Sequence, residues 1–155
     1  MTARVLITGG AGFLGSHVAA ALVSHPSVDL VVAGDVRRPE HPLEGVVYDD
    51  CDVTRSSGLA PLMERHRIDV VVHLAAIVNP GRDHDLEYLV DVDGSRNVLE
   101  ACVATGVRRV VVSSSGAAYG YHPDNPVPIT EDVPPRGSPE HYYSCLLYTS
   151  PSPRD

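Results

Sequence analysis

The run Val5-Leu6-Ile7-Thr8-Gly9-Gly10-Ala11-Gly12-Phe13-Leu14-Gly15 limits this chain to a small set of folds. The apolar stretch from Arg4 to Ile7 predicts a buried strand. A glycine-rich turn breaks it and opens into an apolar helix near Phe13. Strand, glycine turn and helix in that order suit a dinucleotide diphosphate. One glycine makes the tight turn. A second lets backbone approach phosphate with no Cβ between them, and a third lets the helix pack against the strand. The amides of the first helical turn have no partner inside the helix, so they are free for an anion, whose charge the helix dipole favours. Two frames fit: Gly10, Gly12 and Gly15 as G-x-G-x-x-G, or Gly9, Gly12 and Gly15 as G-x-x-G-x-x-G. Glycines also make ordinary turns, and it is the flanking strand and helix that separate the two meanings.

The rest of the chain repeats the alternation. Phe13 to Ser24 reads as a helix with Leu14, Val18, Ala21 and Leu22 on one side, ended by His25-Pro26. Leu30 to Asp35 is a second strand ending on a carboxylate. Asp35 lies about 20 residues past the glycine turn, where a dinucleotide fold places an acid for the adenosine ribose. Asp35 would repel a 2′-phosphate and favours NAD, whereas Arg37 and Arg38 would hold that phosphate and favour NADP; NAD is the expectation and NADP the alternative. Val46 to Tyr48 starts a third strand leading to Asp52-Val53. Ser56 to Arg67 follows as a helix with Leu59, Leu62 and Met63 inward. Asp69 to Ala76 is a fourth strand, Asp83 to Thr105 one long helix with Gly106 at its C-cap, and Arg108 to Ser113 a fifth strand. Val-rich strands alternating with helices predict an α/β fold, a doubly wound parallel sheet covered on both faces, with ligands at the carboxyl ends of the strands. The glycine turn, Asp35, Asp52, His73 to Ala76 and Ser113 to Ser115 all fall at those ends.

Charge and composition exclude other classes. A formal charge of −8 argues against nucleic acid or an anionic membrane as partner. No apolar run is long enough to span a bilayer, and the chain enters its first strand at once, leaving no room for a signal peptide, so a cytoplasmic protein is expected. Cys51, Cys102 and Cys145 have neither disulfide nor metal spacing. The histidines pair with no ligand set, so no metal is expected. The G-x-S-x-G elbow of serine hydrolases is absent.

With these residues placed, the chain resembles the extended short-chain dehydrogenase/reductases, the NAD-dependent epimerase/dehydratase group. The resemblance rests on Thr8 to Gly15, Asp35, Asp52-Val53, His73-Leu74-Ala75-Ala76, Asp93 to Glu100 and Ser113-Ser114-Ser115-Gly116-Ala117-Ala118-Tyr119-Gly120, in order and at spacing, up to about Ser144. It implies a Rossmann-type fold binding NAD. Gly9, Gly10, Gly12, Phe13, Leu14 and Gly15 would lie at the diphosphate, and Asp35 at the ribose. Asp52 and Val53 would contact adenine, and Leu74, Ala75 and Ala76 would line the dinucleotide. Ser115 would hydrogen-bond the reacting hydroxyl or carbonyl of a small-molecule substrate, a sugar nucleotide or a hydroxysteroid-like compound. The family's base is a Tyr with a Lys four residues on, the ammonium lowering a phenol pKa that is ordinarily about 10. Tyr143 is the better candidate and Tyr142 the second, but Leu147 and Leu146 stand where that Lys would be. Asp91 stands where the family often has Asn. The implied activity is oxidation of a secondary hydroxyl by hydride transfer to NAD. A non-catalytic dinucleotide-binding or redox-sensing protein is the alternative.

The segment from Cys145 to Asp155 departs from the pattern. It contains no lysine, and Pro151 and Pro153 would stop the helix that the Tyr should begin. It reads like a translated sequencing adapter. The expectation is therefore a dinucleotide-binding part over 1–144, a non-native tail over 145–155, and a parent protein carrying the missing substrate domain, with a homodimer as its expected assembly. The chain as written would be an inactive fragment, its doubly wound sheet incomplete at the C-terminus. It would be aggregation-prone, with apolar side chains of the fourth and fifth strands exposed on one face.

Overall fold

The computed structural model describes residues 2–78 and 83–151. Five strands form one parallel sheet: β1 (Ala3–Thr8), β2 (Val28–Asp35), β3 (Val46–Asp50), β4 (Val70–His73) and β5 (Arg109–Val112), in the order β3-β2-β1-β4-β5. The order reverses at β1, so a crevice opens at its carboxyl end between the loops after β1 and β4. The strands start and end within two or three residues of the sequence expectation.

Side-chain alternation along β1 divides the core. Leu6 points with Val32 and Val71 into a cluster covered by α2 (Ser56–His66) and α4 (Gly94–Thr105), through Leu59, Leu62, Met63, Val98 and Cys102. Val5 and Ile7 point with Val31 to the opposite face, where Ala19 of α1 (Phe13–Val23) covers them. Both faces of a parallel sheet must be buried, and the Val-rich strands supply apolar atoms to each. Cover thins toward β5, where Val111 is 48% exposed.

The expected single helix over Asp83 to Thr105 is interrupted. α3 (His84–Tyr88) passes into a π turn, Leu89–Asp93, before α4. The Gly94 amide reaches back to the Leu89 carbonyl, five residues away, which widens the helix by one residue. Gly94 then lies against Val53, where a Cβ would come within 2.8 Å of a Val53 methyl. The last element, α5 (Tyr142–Thr149), runs five residues into the segment expected to be a non-native tail. Leu146 is buried there, and the helix ends at Ser150, ahead of Pro151. Residues 152–155 lie outside the described residues.

Candidate functional site

The crevice is built by the loops after β1 and β4, and these touch. Gly9 has φ +69°, and a Cβ there would lie 2.9 Å from the Ala75 amide nitrogen, so only glycine suits the position. A Cβ on Gly15 would run into the Gly9 carbonyl, so glycine at this position lets α1 seat on the turn. The turn's amides divide cleanly. Gly10 donates to the Gly34 carbonyl (3.1 Å), Ala11 to the Asp35 carboxylate (3.1 Å) and Gly12 to the Gly9 carbonyl (3.0 Å). The first bond of the helix runs from Ser16 to Gly12 (2.9 Å), and no side chain caps α1. The amides of Phe13, Leu14 and Gly15 therefore have no acceptor among the described residues. They form the anion-accepting end of a helix. The Phe13 side chain is 85% exposed beside them.

Asp35 ends β2 and is 92% removed from solvent, its side chain held from two sides. Oδ2 accepts the Ala11 amide at 3.1 Å and Oδ1 the Arg37 amide at 3.0 Å. The two arginines are already committed. Arg38 donates to the Tyr48 carbonyl (2.9 Å) and to Asp50 (3.0 Å), while the Arg37 Nε stands 3.8 Å from Asp35. A carboxylate at the front and arginines paired behind it fit a ribose with a free 2′-hydroxyl. Past β3, Asp52 accepts both the amide (3.0 Å) and the hydroxyl (2.6 Å) of Thr54 and pairs with Arg55. Val53 is buried, and its carbonyl takes the Asn97 side-chain amide at 2.9 Å. A cleft lined by Asp50, Cys51, Asp52, Arg55, Gly58 and Leu59 lies beside them. Burial pushes the thiols of Cys51 and Cys102 up to about 12 and about 11, which keeps both protonated near neutrality.

Sequence reasoning missed a buried polar chain that sets the other wall. Thr8 Oγ1 lies 2.6 Å from His73 Nδ1, His73 Nε2 lies 3.0 Å from Ser95 Oγ, and Ser95 Oγ donates to the Asp91 carbonyl at 2.6 Å. The direction of every bond follows. Ser95 spends its one proton on Asp91, so it accepts from His73 Nε2–H. Burial holds the imidazole neutral, with its pKa pushed down to about 4, so Nδ1 is an acceptor and Thr8 donates to it. Thr8 Oγ1 then accepts the amides of Leu74 (3.2 Å) and Ala75 (3.4 Å). Asp91 Oδ1 accepts the Ile77 amide at 2.8 Å. The loop expected to line the dinucleotide is thus pinned at Leu74, Ala75 and Ile77. A threonine directly before the glycine turn and a histidine closing an apolar strand were the available signal, because buried polar groups need partners.

Ser115 caps a 3-10 turn over Gly116–Tyr119, its Oγ accepting the Ala117 amide at 3.2 Å. α5 and its C-cap pack on that turn, on the π turn and on α3, with one bond to each. Ser144 donates to the Ala117 carbonyl (2.6 Å), Ser150 to the Asp91 carbonyl (2.9 Å) and Tyr142 to the His84 carbonyl (2.8 Å). The helix that carries Tyr143 thus packs on the elements bearing Ser115 and Asp91. Its phenol is pushed above its usual value by burial, then by the Asp91 and Tyr121 charges. The Asp91 carboxyl is itself raised by burial, partly offset by the Ile77 amide. All twelve cationic residues in the chain are arginines, so no lysine ammonium lowers either phenol. Among the described residues no group of three or more His, Cys, Asp or Glu is arranged to hold a metal, and no helix is long and apolar enough to cross a membrane.

A parallel sheet ordered 3-2-1-4-5, with a bare helix N-terminus and a buried acid at its switch point, defines a doubly wound Rossmann-type domain. Residues 5–146 match the profile of the NAD-dependent epimerase/dehydratase family, and the chain belongs to that family. It is 38% identical over 136 residues to a UDP-glucose 4-epimerase of Azospirillum brasilense, covering 84% of this chain and 38% of that protein. It is 35% identical over 127 residues to a UDP-N-acetyl-alpha-D-glucosaminuronate decarboxylase of Bacillus cytotoxicus, covering 77% of this chain and 39% of that one. Among solved structures, Bordetella bronchiseptica WbmG in complex with NAD and UDP superposes with a TM-score of 0.82 at 27% identity, over 96% of this chain and 48% of WbmG. Thermus thermophilus UDP-glucose 4-epimerase in complex with NAD gives 0.78 at 32% identity, over 93% of this chain and 47% of that enzyme. The chain thus spans about two-fifths of the length of these curated relatives and about half of these structures.

Proposed function

We propose that this chain is the NAD-binding part of an enzyme that acts on a sugar nucleotide. The observation that carries the reading is the trio of partnerless amides, Phe13, Leu14 and Gly15, at the switch point of the sheet. These amides, with Gly9, Gly10 and Gly12, would hold the diphosphate. Asp35 would take the ribose hydroxyls, Asp52 and Val53 would border the adenine, and Leu74 to Ala76 would line the remainder. Bound NAD supplies a hydride acceptor. The protein's part is to hold a secondary hydroxyl and remove its proton. Ser115 Oγ uses one lone pair on the Ala117 amide and keeps its own proton to donate to the substrate oxygen. Tyr143 would take the hydroxyl proton of the substrate.

That last role needs a cation near the phenol, because Asp91 and burial both act against phenolate. Leu147 stands four residues on from Tyr143. We therefore place the catalytic tyrosine at the limit of the native sequence: residues 1–144 are the dinucleotide-binding part, and 145–155 do not continue it. In the full-length enzyme a Lys follows Tyr143 by four residues, and the substrate-selecting portion lies further on. Sequencing the source locus tests this directly; a frame that encodes Leu147 and stops after Asp155 refutes it. Assay of the full-length protein with UDP-hexoses and NAD then tests the activity. Conversion abolished by Tyr143→Phe is expected, and conversion unaffected by that change contradicts the assignment. The absence of lysine favours one second reading, a dinucleotide sensor without turnover, for which NAD binds and no UDP-hexose is converted.

A further inference from the structure

We propose that Asp35 is a positioning residue for the diphosphate turn as well as the reader of the ribose. The inference rests on the NAD-binding reading above for its ligand arm only. The turn and the start of α1 present six consecutive amides, Gly10 to Gly15. Gly10 and Gly12 are held by backbone carbonyls, and Phe13, Leu14 and Gly15 are left open. Ala11 alone is held by a side chain, the carboxylate of Asp35. Among the described residues that bond is the one hydrogen bond to the Ala11 amide, midway between Gly10 on the Gly34 carbonyl and Gly12 on the Gly9 carbonyl.

The geometry makes Asp35 a staple rather than a loose contact. It is 92% buried, and its second oxygen is held by the Arg37 amide at 3.0 Å, so the carboxylate cannot rotate away from Ala11 without losing both bonds. Its strand is locked beside it, with the Cys51 amide on the Asp35 carbonyl at 3.2 Å and Gly10 on the neighbouring Gly34 carbonyl at 3.1 Å. A carboxylate has about four lone-pair sites, and two are used here, which leaves acceptor capacity for ribose hydroxyls. Its negative charge is spent on Ala11, outside the open trio, so it orders the turn without filling the anion position. Ribose recognition and diphosphate recognition are then one preorganised unit, and weakening the first weakens the second.

The test uses the full 155-residue chain. In the wild type, a scalar coupling across the hydrogen bond between the Ala11 nitrogen and the Asp35 side-chain carboxyl carbon is expected, with slow exchange of the Ala11 amide. A missing coupling with exchange at a free-loop rate overturns the staple. In Asp35→Ala, Ala11 exchange is expected to accelerate about tenfold or more while Leu6 and Val32 stay protected; unchanged Ala11 exchange overturns it. The ligand arm compares NAD with an analogue whose adenosine ribose lacks both hydroxyls. If Asp35 read only the ribose, the analogue would bind wild type and Asp35→Ala equally, and that result overturns the proposal. The staple predicts that the analogue binds the variant about fivefold or more weaker, the size of one lost hydrogen bond. Should wild type bind no NAD at all, the cofactor reading fails, and the coupling and exchange still judge the staple.

Discussion

Acidification should unfold this domain through His73. The imidazole is 3% exposed, is held between Thr8 and Ser95, and titrates at about 4 instead of its usual 6.5. The direction follows from linkage. A group with a depressed folded-state pKa that is neutral when deprotonated binds its proton first in the unfolded chain, so folding loses stability as pH falls from about 6.5 toward 4. Taking the unfolded value as 6.5, the loss is about 2 kcal/mol at pH 5 and about 3 kcal/mol at pH 4. That is a large share of the few kcal/mol by which domains are stable. The bond directions give the same answer: a second ring proton would meet the Thr8 hydroxyl proton, and to accept it the Thr8 oxygen would have to give up one of the two amides it holds, Leu74 or Ala75. Urea denaturation at pH 7, 6 and 5 measures the slope. His73→Gln removes the titration, so the difference between the two stability curves isolates the imidazole from Asp49, whose carboxyl is lowered mainly by its bond to His66, and from Asp91. Parallel curves for wild type and variant between pH 7 and 5, or a folded-state imidazole that titrates near 6.5 by NMR, would refute the reasoning.

Other outcomes follow from the same geometry. Ser95→Ala leaves the His73 Nε2–H without an acceptor and should cost about 1–3 kcal/mol at pH 7, read from the urea midpoint. Arg67 ends α2 in the left-handed region at φ 48°, so Arg67→Gly should raise stability by up to about 1 kcal/mol, seen as a higher thermal midpoint. Gly15→Ala would place a methyl on the Gly9 carbonyl and should abolish NAD binding by fluorescence titration, whereas Gly58→Ala, in open space on α2, should leave it unchanged. Val111→Thr on the thinly covered face of β5 should raise the concentration at which the chain stays soluble, measured by light scattering.

Much of this was legible in the residues, for physical reasons. Continuous runs such as Val70-Val71-Val72 mean burial on both faces, which only a covered parallel sheet offers, and the five expected strands form in that sheet. Gly9 could be read because a tight turn leaves a composition mark; its contact with Ala75 could not, because it joins two loops with three strands and two helices between them. The π turn was invisible, since Leu89 to Asp93 carry an ordinary helical pattern and the extra residue is set by the fit of Gly94 against Val53. The Thr8-His73-Ser95 chain was hidden for the same reason: each residue alone is unremarkable, and only the pairing of β1 with β4 and α4 aligns them. Asp91 was legible as a departure, but not as the group that holds the Ile77 amide.

The central claim is a diphosphate seated on the bare end of α1. Titrating the ¹⁵N-labelled chain with NAD and following every backbone amide tests it most directly. Phe13, Leu14 and Gly15 are expected to shift most, with Asp35 and Ala75 moving along the same binding curve. Saturation with those three amides unmoved, or with the shifts gathered elsewhere on the molecule, would contradict it.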